Sequence, residues 1–136
     1  MEECIFCKII AGKIPAVKVL EDEKVIAFLD IMPANKGHCL VIPKNHASTL
    51  TDMDDDDVSS CIHMAKKIAK AMSLGFGNGS YNLVMNNGKE AGQLVNHAHF
   101  HVIPRFQKDR LRIKWSHLKY NENEINEFAE KIRKFL

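Results

Sequence analysis

The stretch Asn96-His97-Ala98-His99-Phe100-His101-Val102-Ile103 constrains this chain more than any other segment, because imidazole and apolar side chains alternate in it with a period of two. Successive side chains of an extended strand point to opposite faces. His97, His99 and His101 therefore share one face, while Ala98, Phe100 and Val102 enter a core on the other. A merely solvated strand face would more usually carry Thr, Lys or Glu. One metal held by all three imidazoles is geometrically disfavoured: the Cα atoms of His97 and His101 would lie roughly 13 Å apart, whereas nitrogens bound to a zinc at about 2.1 Å sit within about 4 Å of one another. Two of them could share a metal, so a zinc hydrolase with an open site at His97 and His99 is one reading. A row of imidazoles equally suits an extended anionic ligand, with one ring as nucleophile and another donating protons near neutral pH.

Other segments supply the rest of a single domain over residues 1–136. Cys4 to Ile10 reads as a short helix stopped by Gly12 and Pro15, and Val17–Leu20 and Val25–Leu29 as a hairpin around Glu21-Asp22-Glu23-Lys24. After the loop from Asp30 to Gly37, His38 to Ile42 reads as a third strand ended by Pro43. Between Asp54 and Leu74, Val58, Ile62, Ala65, Ala69 and Met72 recur at helical spacing. Acidic residues stand at the start of that helix, lysines toward its end, and Gly75 is the expected stop. Tyr81–Met85 and Ala98–Ile103 read as two further strands. Ile125, Phe128, Ala129 and Ile132 mark a last helix, with Asn121 and Glu124 spaced as a capping pair. Five strands with hairpin-length connections, one long helix and two shorter ones predict an α+β fold on an antiparallel sheet.

Composition excludes several classes. Apolar residues make up 46% and charged residues 26% of the 136, which is neither disordered nor collagen-like, and the net charge of +2 comes with no basic stripe, so no nucleic-acid partner is expected. No apolar run approaches the roughly 20 residues of a membrane span, and the acidic start is unlike a secretory signal. No membrane partner is expected, and a cytoplasmic, reducing location is. There the Cys4-x-x-Cys7 pair reads as metal-binding or redox-active, needing two more ligands from among His46, His97, Cys39 and Cys61. Cys39 and Cys61 read as small buried hydrophobes, and His63 and His117 as surface residues.

Four segments together resemble the histidine triad (HIT) family: Phe28-Leu29-Asp30-Ile31, Gly37 to His46, Asn86-Asn87-Gly88, and Gly92 to Ile103. The defining H-φ-H-φ-H-φ-φ motif, with φ apolar, is met at every position from His97 to Ile103. The motif-bearing part runs from about residue 4 to 106, with a helical tail over about 121–136. The resemblance implies a HIT-like fold and a two-fold homodimer built on the long helix and a neighbouring strand. It also implies a hydrolase or transferase acting at the α-phosphate of a purine (adenosine) nucleotide derivative. His99 would be the nucleophile that forms a nucleotidyl-histidine, with His101 and His38 stabilising the phosphate. Asn86, Gly92 and Gln93 would contact phosphate or leaving group, Asp30 the ribose hydroxyls, and Phe28 and Ile31 the base.

Phosphoramidates, dinucleoside polyphosphates and adenylylated proteins all satisfy this pattern, as would a nucleotide-binding regulator with vestigial turnover. Leu94 departs from the Ser or Thr of eukaryotic phosphoramidases. The metal-binding branch of the family further implies one structural Zn2+ per chain on Cys4, Cys7, His46 and His97. The local alternatives are a turn-forming role for Asp30 before Pro33 and a metal-free C-x-x-C pair.

Overall fold

The computed structural model describes residues 3–136. Strands β2 (Val25–Leu29) and β3 (Cys39–Pro43) are almost wholly buried, so both faces of the sheet need cover. Val25, Ala27, Cys39 and Val41 face a long helix, α2 (Asp55–Phe76), and meet its Cys61, Met64, Ala65, Ile68, Ala69 and Met72. Ile26, Phe28, Leu40 and Ile42, one position out of phase, face the other way and are covered by Phe6 and Ile9 of the six-residue α1 (Ile5–Ile10). The two lone cysteines lie in the first core as expected, and burial pushes their thiols up, to about 11 for Cys39 and about 12 for Cys61.

Three further strands, β1 (Lys18–Glu21), β4 (Ser80–Val84) and β5 (Phe100–Arg105), complete a five-stranded sheet in the order β1-β2-β3-β5-β4. Every adjacent pair is antiparallel. The expected α+β architecture is thus observed. Leu40 lies opposite His101 in the β3–β5 ladder, which puts His101 on the α1 side of the sheet, away from α2.

One expectation needs correction. The stop of α2 is Gly77, not Gly75: only Gly77 adopts the left-handed conformation (φ 67°) that ends a helix, and Gly75 continues it. The last helix, α3 (Glu124–Arg133), forms with the Asn121 N–H donating to Glu124 Oε1 at 3.0 Å. Its apolar spacing nonetheless does not bury it within the chain, because Ile125, Phe128 and Ile132 are all exposed. Among the described residues no helix is long and apolar enough to cross a membrane.

Candidate active site and metal centre

β5 begins only at Phe100, so His97 and His99 precede the regular ladder, yet the alternation survives: Ala98 and Phe100 enter the α2 core. His97 and His99 are buried on the opposite face, where the ring of Phe6 stands edge-on to both at 5.9 and 5.2 Å between centroids. The histidine face is therefore covered by α1. Its three rings divide between two sites.

His97 belongs to the first. Its Nε2 lies 2.8 Å from the Pro43 carbonyl and donates to it, which leaves Nδ1 of the neutral ring as a bare lone pair. Around that atom lie His46 Nδ1 at 3.2 Å, Cys4 Sγ at 3.4 Å and Cys7 Sγ at 3.6 Å, with Cys7 Sγ 3.4 Å from His46 Nδ1. These are four of the six edges of a tetrahedron, close to the roughly 3.3–3.8 Å expected around a zinc bound to nitrogen at about 2.1 Å and sulfur at about 2.3 Å, and all four donor atoms lie within 4.8 Å of one another. The donor set fits a closed four-coordinate ion. The hydrogen bond to the Pro43 carbonyl also fixes the orientation of the His97 ring. Cys4 also starts α1, its Sγ accepting the Cys7 N–H at 3.4 Å.

The second site holds His99, His101, His38 and Asp30. His99 Nδ1 donates to the His97 carbonyl at 2.6 Å, so Nε2 carries the lone pair. The Ala34 N–H donates to His38 Nδ1 at 3.0 Å, which places the proton of neutral His38 on Nε2. That proton is donated to His101 Nδ1 at 2.9 Å, and the proton of neutral His101 must then sit on Nε2. The tautomers of three rings follow from two backbone groups. Asp30, His38 and His101 also bring donor atoms within 4.8 Å of one another. A protonated His38 Nε2 has no lone pair for a cation, so this trio is a hydrogen-bonded chain.

Burial disfavours the charged form of every ring here. It holds His99, His97 and His38 below the usual histidine value, and together with the charges of His99 and His38 it pushes His101 down to about 4. Asp30 divides its two oxygens between the roles open to it. Oδ1 accepts the Met32 N–H at 2.9 Å as a turn residue would, and Oδ2 lies 3.8 Å from His38 Nε2.

The remaining expected contacts fare unevenly. The Gln93 amide is engaged within the chain: Nε2 donates to the Ser48 and Val95 carbonyls at 2.6 and 3.0 Å, and Oε1 accepts the Gly88 N–H at 2.8 Å. It clasps the loop. Gly92 has a positive φ of 90° that a side chain would strain. Phe28 is 3% exposed and stacks edge-on against Phe6, while Ile31 is 87% exposed on the loop after β2. Asn86 lies partly buried between β4 and the turn at Lys89–Ala91. Leu94 is fully at the surface.

Sequence reasoning missed Phe6, whose position is one apolar residue among several in α1. It also missed Asn35, which bonds Asp109 across a separation of 74 residues.

Residues 11–108 match the family model of the HIT domain. The chain belongs to the HIT family. An adenosine 5'-monophosphoramidase of Schizosaccharomyces pombe is 42% identical over 130 residues, 95% of each chain. A crystal structure of a HIT family protein from Bacillus anthracis superposes with a TM-score of 0.92 at 40% identity, covering 99% of this chain and 98% of that one. A zinc-bound histidine triad protein from Mycobacterium smegmatis superposes with a TM-score of 0.78 at 39% identity, over 85% of this chain and 84% of that one. The five-stranded sheet is thus the HIT fold.

Proposed function

We propose that this HIT protein hydrolyses adenosine nucleotide conjugates at the α-phosphate through a covalent nucleotidyl-His99. The observation that carries this reading is the 2.6 Å bond from His99 Nδ1 to the His97 carbonyl. It leaves a neutral, buried imidazole with its Nε2 lone pair directed away from the backbone. In the first step Nε2 attacks phosphorus and the bond to the leaving group breaks; in the second, water attacks the same phosphorus and releases His99 with its lone pair restored. His101 serves as a neutral donor from Nε2 to the phosphate oxygens or the leaving group, held in that tautomer by His38.

The free Oδ2 of Asp30 suits the ribose hydroxyls, and exposed Ile31, backed by buried Phe28, suits the base. Among relatives, a monophosphoramidase supports a phosphoramidate leaving group. The same α-phosphate chemistry covers dinucleoside polyphosphates. The proposal extends to one zinc per chain at Cys4, Cys7, His46 and His97, supported by the tetrahedral edges and by a zinc-bound relative. When bound, zinc supplies a cross-link, with no open position for a water. A homodimer remains part of the reading, supported by the exposed Tyr81 and Leu83 on edge strand β4 and by Ile62 on α2.

The test is His99→Ala, assayed for turnover of adenosine monophosphoramidate and for AMP affinity. Turnover should vanish while affinity stays within about tenfold, since one hydrogen bond to phosphate contributes only about 1.5 kcal/mol. Retained turnover refutes the nucleophile.

A further inference from the structure

The hydrogen-bonded chain that fixes His101 begins at the Ala34 N–H, on the loop between β2 and β3, and a peptide group on a loop must itself be held in place. Asn35, the next residue, is what ties that loop down. Its Nδ2 donates to the Pro104 carbonyl at 2.9 Å and to Asp109 Oδ2 at 3.0 Å. Its own carbonyl accepts the His38 N–H at 3.0 Å. Asp109 is in turn immobilised by Arg105, whose Nε and Nη2 bond its two oxygens at 2.9 Å each, and by the Phe106 N–H at 2.8 Å. Arg105 is pinned further by Asn82 Oδ1 and the Leu111 carbonyl, both at 2.7 Å. Arg105 and His101 stand on the same face of β5, four residues apart. One strand therefore carries both the ring that receives the proton and the guanidinium that anchors the loop aiming it.

We propose that Asn35, clamped by Asp109 and Arg105, is a positioning residue that sets the tautomer of His38 and so of His101. Asn35 touches neither ring with its side chain. It acts by holding the Ala34 N–H against His38 Nδ1. Without that N–H, the two tautomers of His38 differ little in intrinsic energy, and a His38 protonated on Nδ1 turns its Nε2 lone pair toward His101, which then places its own proton on Nδ1. His101 Nε2 would face the phosphate as a second lone pair, repelling the oxygens it should stabilise. Two anchors share the work, a main-chain carbonyl of β5 and a carboxylate of the segment after it. The device thus depends on residues that follow the histidine motif, outside its spacing.

The inference rests on the proposed hydrolase reading only for its kinetic arm. Asn35→Ala is compared with wild type by nitrogen NMR of 15N-histidine-labelled protein, which reports the protonated nitrogen of each ring, and by kcat and KM for adenosine monophosphoramidate. The expected result is a single Nε2-protonated His38 in wild type and a mixture in the variant, with kcat lower by about tenfold or more and KM within about threefold. Lys18→Ala, which removes only an exposed hydrogen bond to Glu21 on β1, outside the clamp, should keep the wild-type tautomer and kcat. If Asn35→Ala does not fold, Asp109→Asn carries the same comparison, since it weakens the anchor while keeping its shape.

An unchanged His38 tautomer in the folded variant overturns the proposal. So does a loss of kcat that tracks falling thermal stability while the tautomer stays fixed. Failure of the hydrolase reading shows separately, as wild-type protein with the expected tautomers and no turnover.

Discussion

A zinc on Cys4, Cys7, His46 and His97, as proposed, predicts that stripping it destabilises the fold far more than it slows the chemistry. The cluster closes two loops, with His46 39 positions after Cys7 and His97 51 positions after His46. Treated as cross-links, each removes chain entropy worth about 4 kcal/mol from the unfolded state, so the pair contributes at most about 8 kcal/mol. Shared use of His46 and residual unfolded-state structure reduce that sum. A loss of at least about 3 kcal/mol is expected, a large share of the roughly 5–15 kcal/mol that stabilises a domain, and a fall in Tm of about 10 °C or more.

The assay is differential scanning calorimetry of protein as purified, after chelation, and as Cys7→Ser, alongside elemental analysis expected to give about one zinc per chain. Turnover measured well below the lowered Tm should stay within about tenfold, because the cluster's hydrogen bond to His99 is made by the main-chain carbonyl of His97 and not by a ligand side chain. A Tm unmoved by chelation, or complete loss of kcat in a still-folded Cys7→Ser protein, would refute this division between cross-link and catalyst.

Two other outcomes follow from the site. Burial holds His99 below 6.5, so the acid limb of kcat/KM should fall below pH 6.5 in a pH–rate profile; a limb above that value contradicts a buried neutral nucleophile. The same burial makes the unfolded chain bind more protons than the folded one as pH drops from 6.5 toward the value of about 4 for His101, so denaturant midpoints should decline through that window. Phe6→Ala removes the ring that walls both His97 and His99 and should cost about 3–5 kcal/mol in urea unfolding while lowering kcat, whereas Phe6→Leu should restore most of both.

Local pattern carried the sheet and long helix into legibility. Apolar runs at Val25–Leu29 and Cys39–Ile42 had one reading each, and Ala65, Ala69 and Met72 of the helical spacing lie on the buried face of α2, whereas Ile62, read into the same face, is exposed. The end of α2 was legible only as a glycine, because choosing Gly77 over Gly75 depends on where the chain must turn. The histidine row illustrates the same limit. Its shared face could be read from a period of two, but its division between a Cys/His cluster and a hydrogen-bonded histidine chain depends on partners 93 and 63 residues away, Cys4 for His97 and His38 for His101.

Gln93 has the chemistry of a phosphate contact, and only the positions of Ser48, Gly88 and Val95 reveal that its amide is already engaged. The Asn35 clamp had no local signature at all. An asparagine in a loop before Gly37 is ordinary turn chemistry until Asp109 is seen beside it. In α3 the spacing of Ile125, Phe128 and Ile132 predicted a helix correctly, but spacing says nothing of what an apolar face meets.

The stereochemical course at phosphorus tests the central claim most directly. Hydrolysis of an adenosine phosphoramidate made chiral at phosphorus by sulfur and oxygen isotopes, run in isotopically labelled water, reports whether one displacement or two occurred. Attack by His99 Nε2 followed by attack of water inverts phosphorus twice, so the account predicts net retention even when the nucleotidyl-histidine is too short-lived to isolate. Net inversion would mean that water displaces the leaving group directly, and His99 would lose its role as nucleophile.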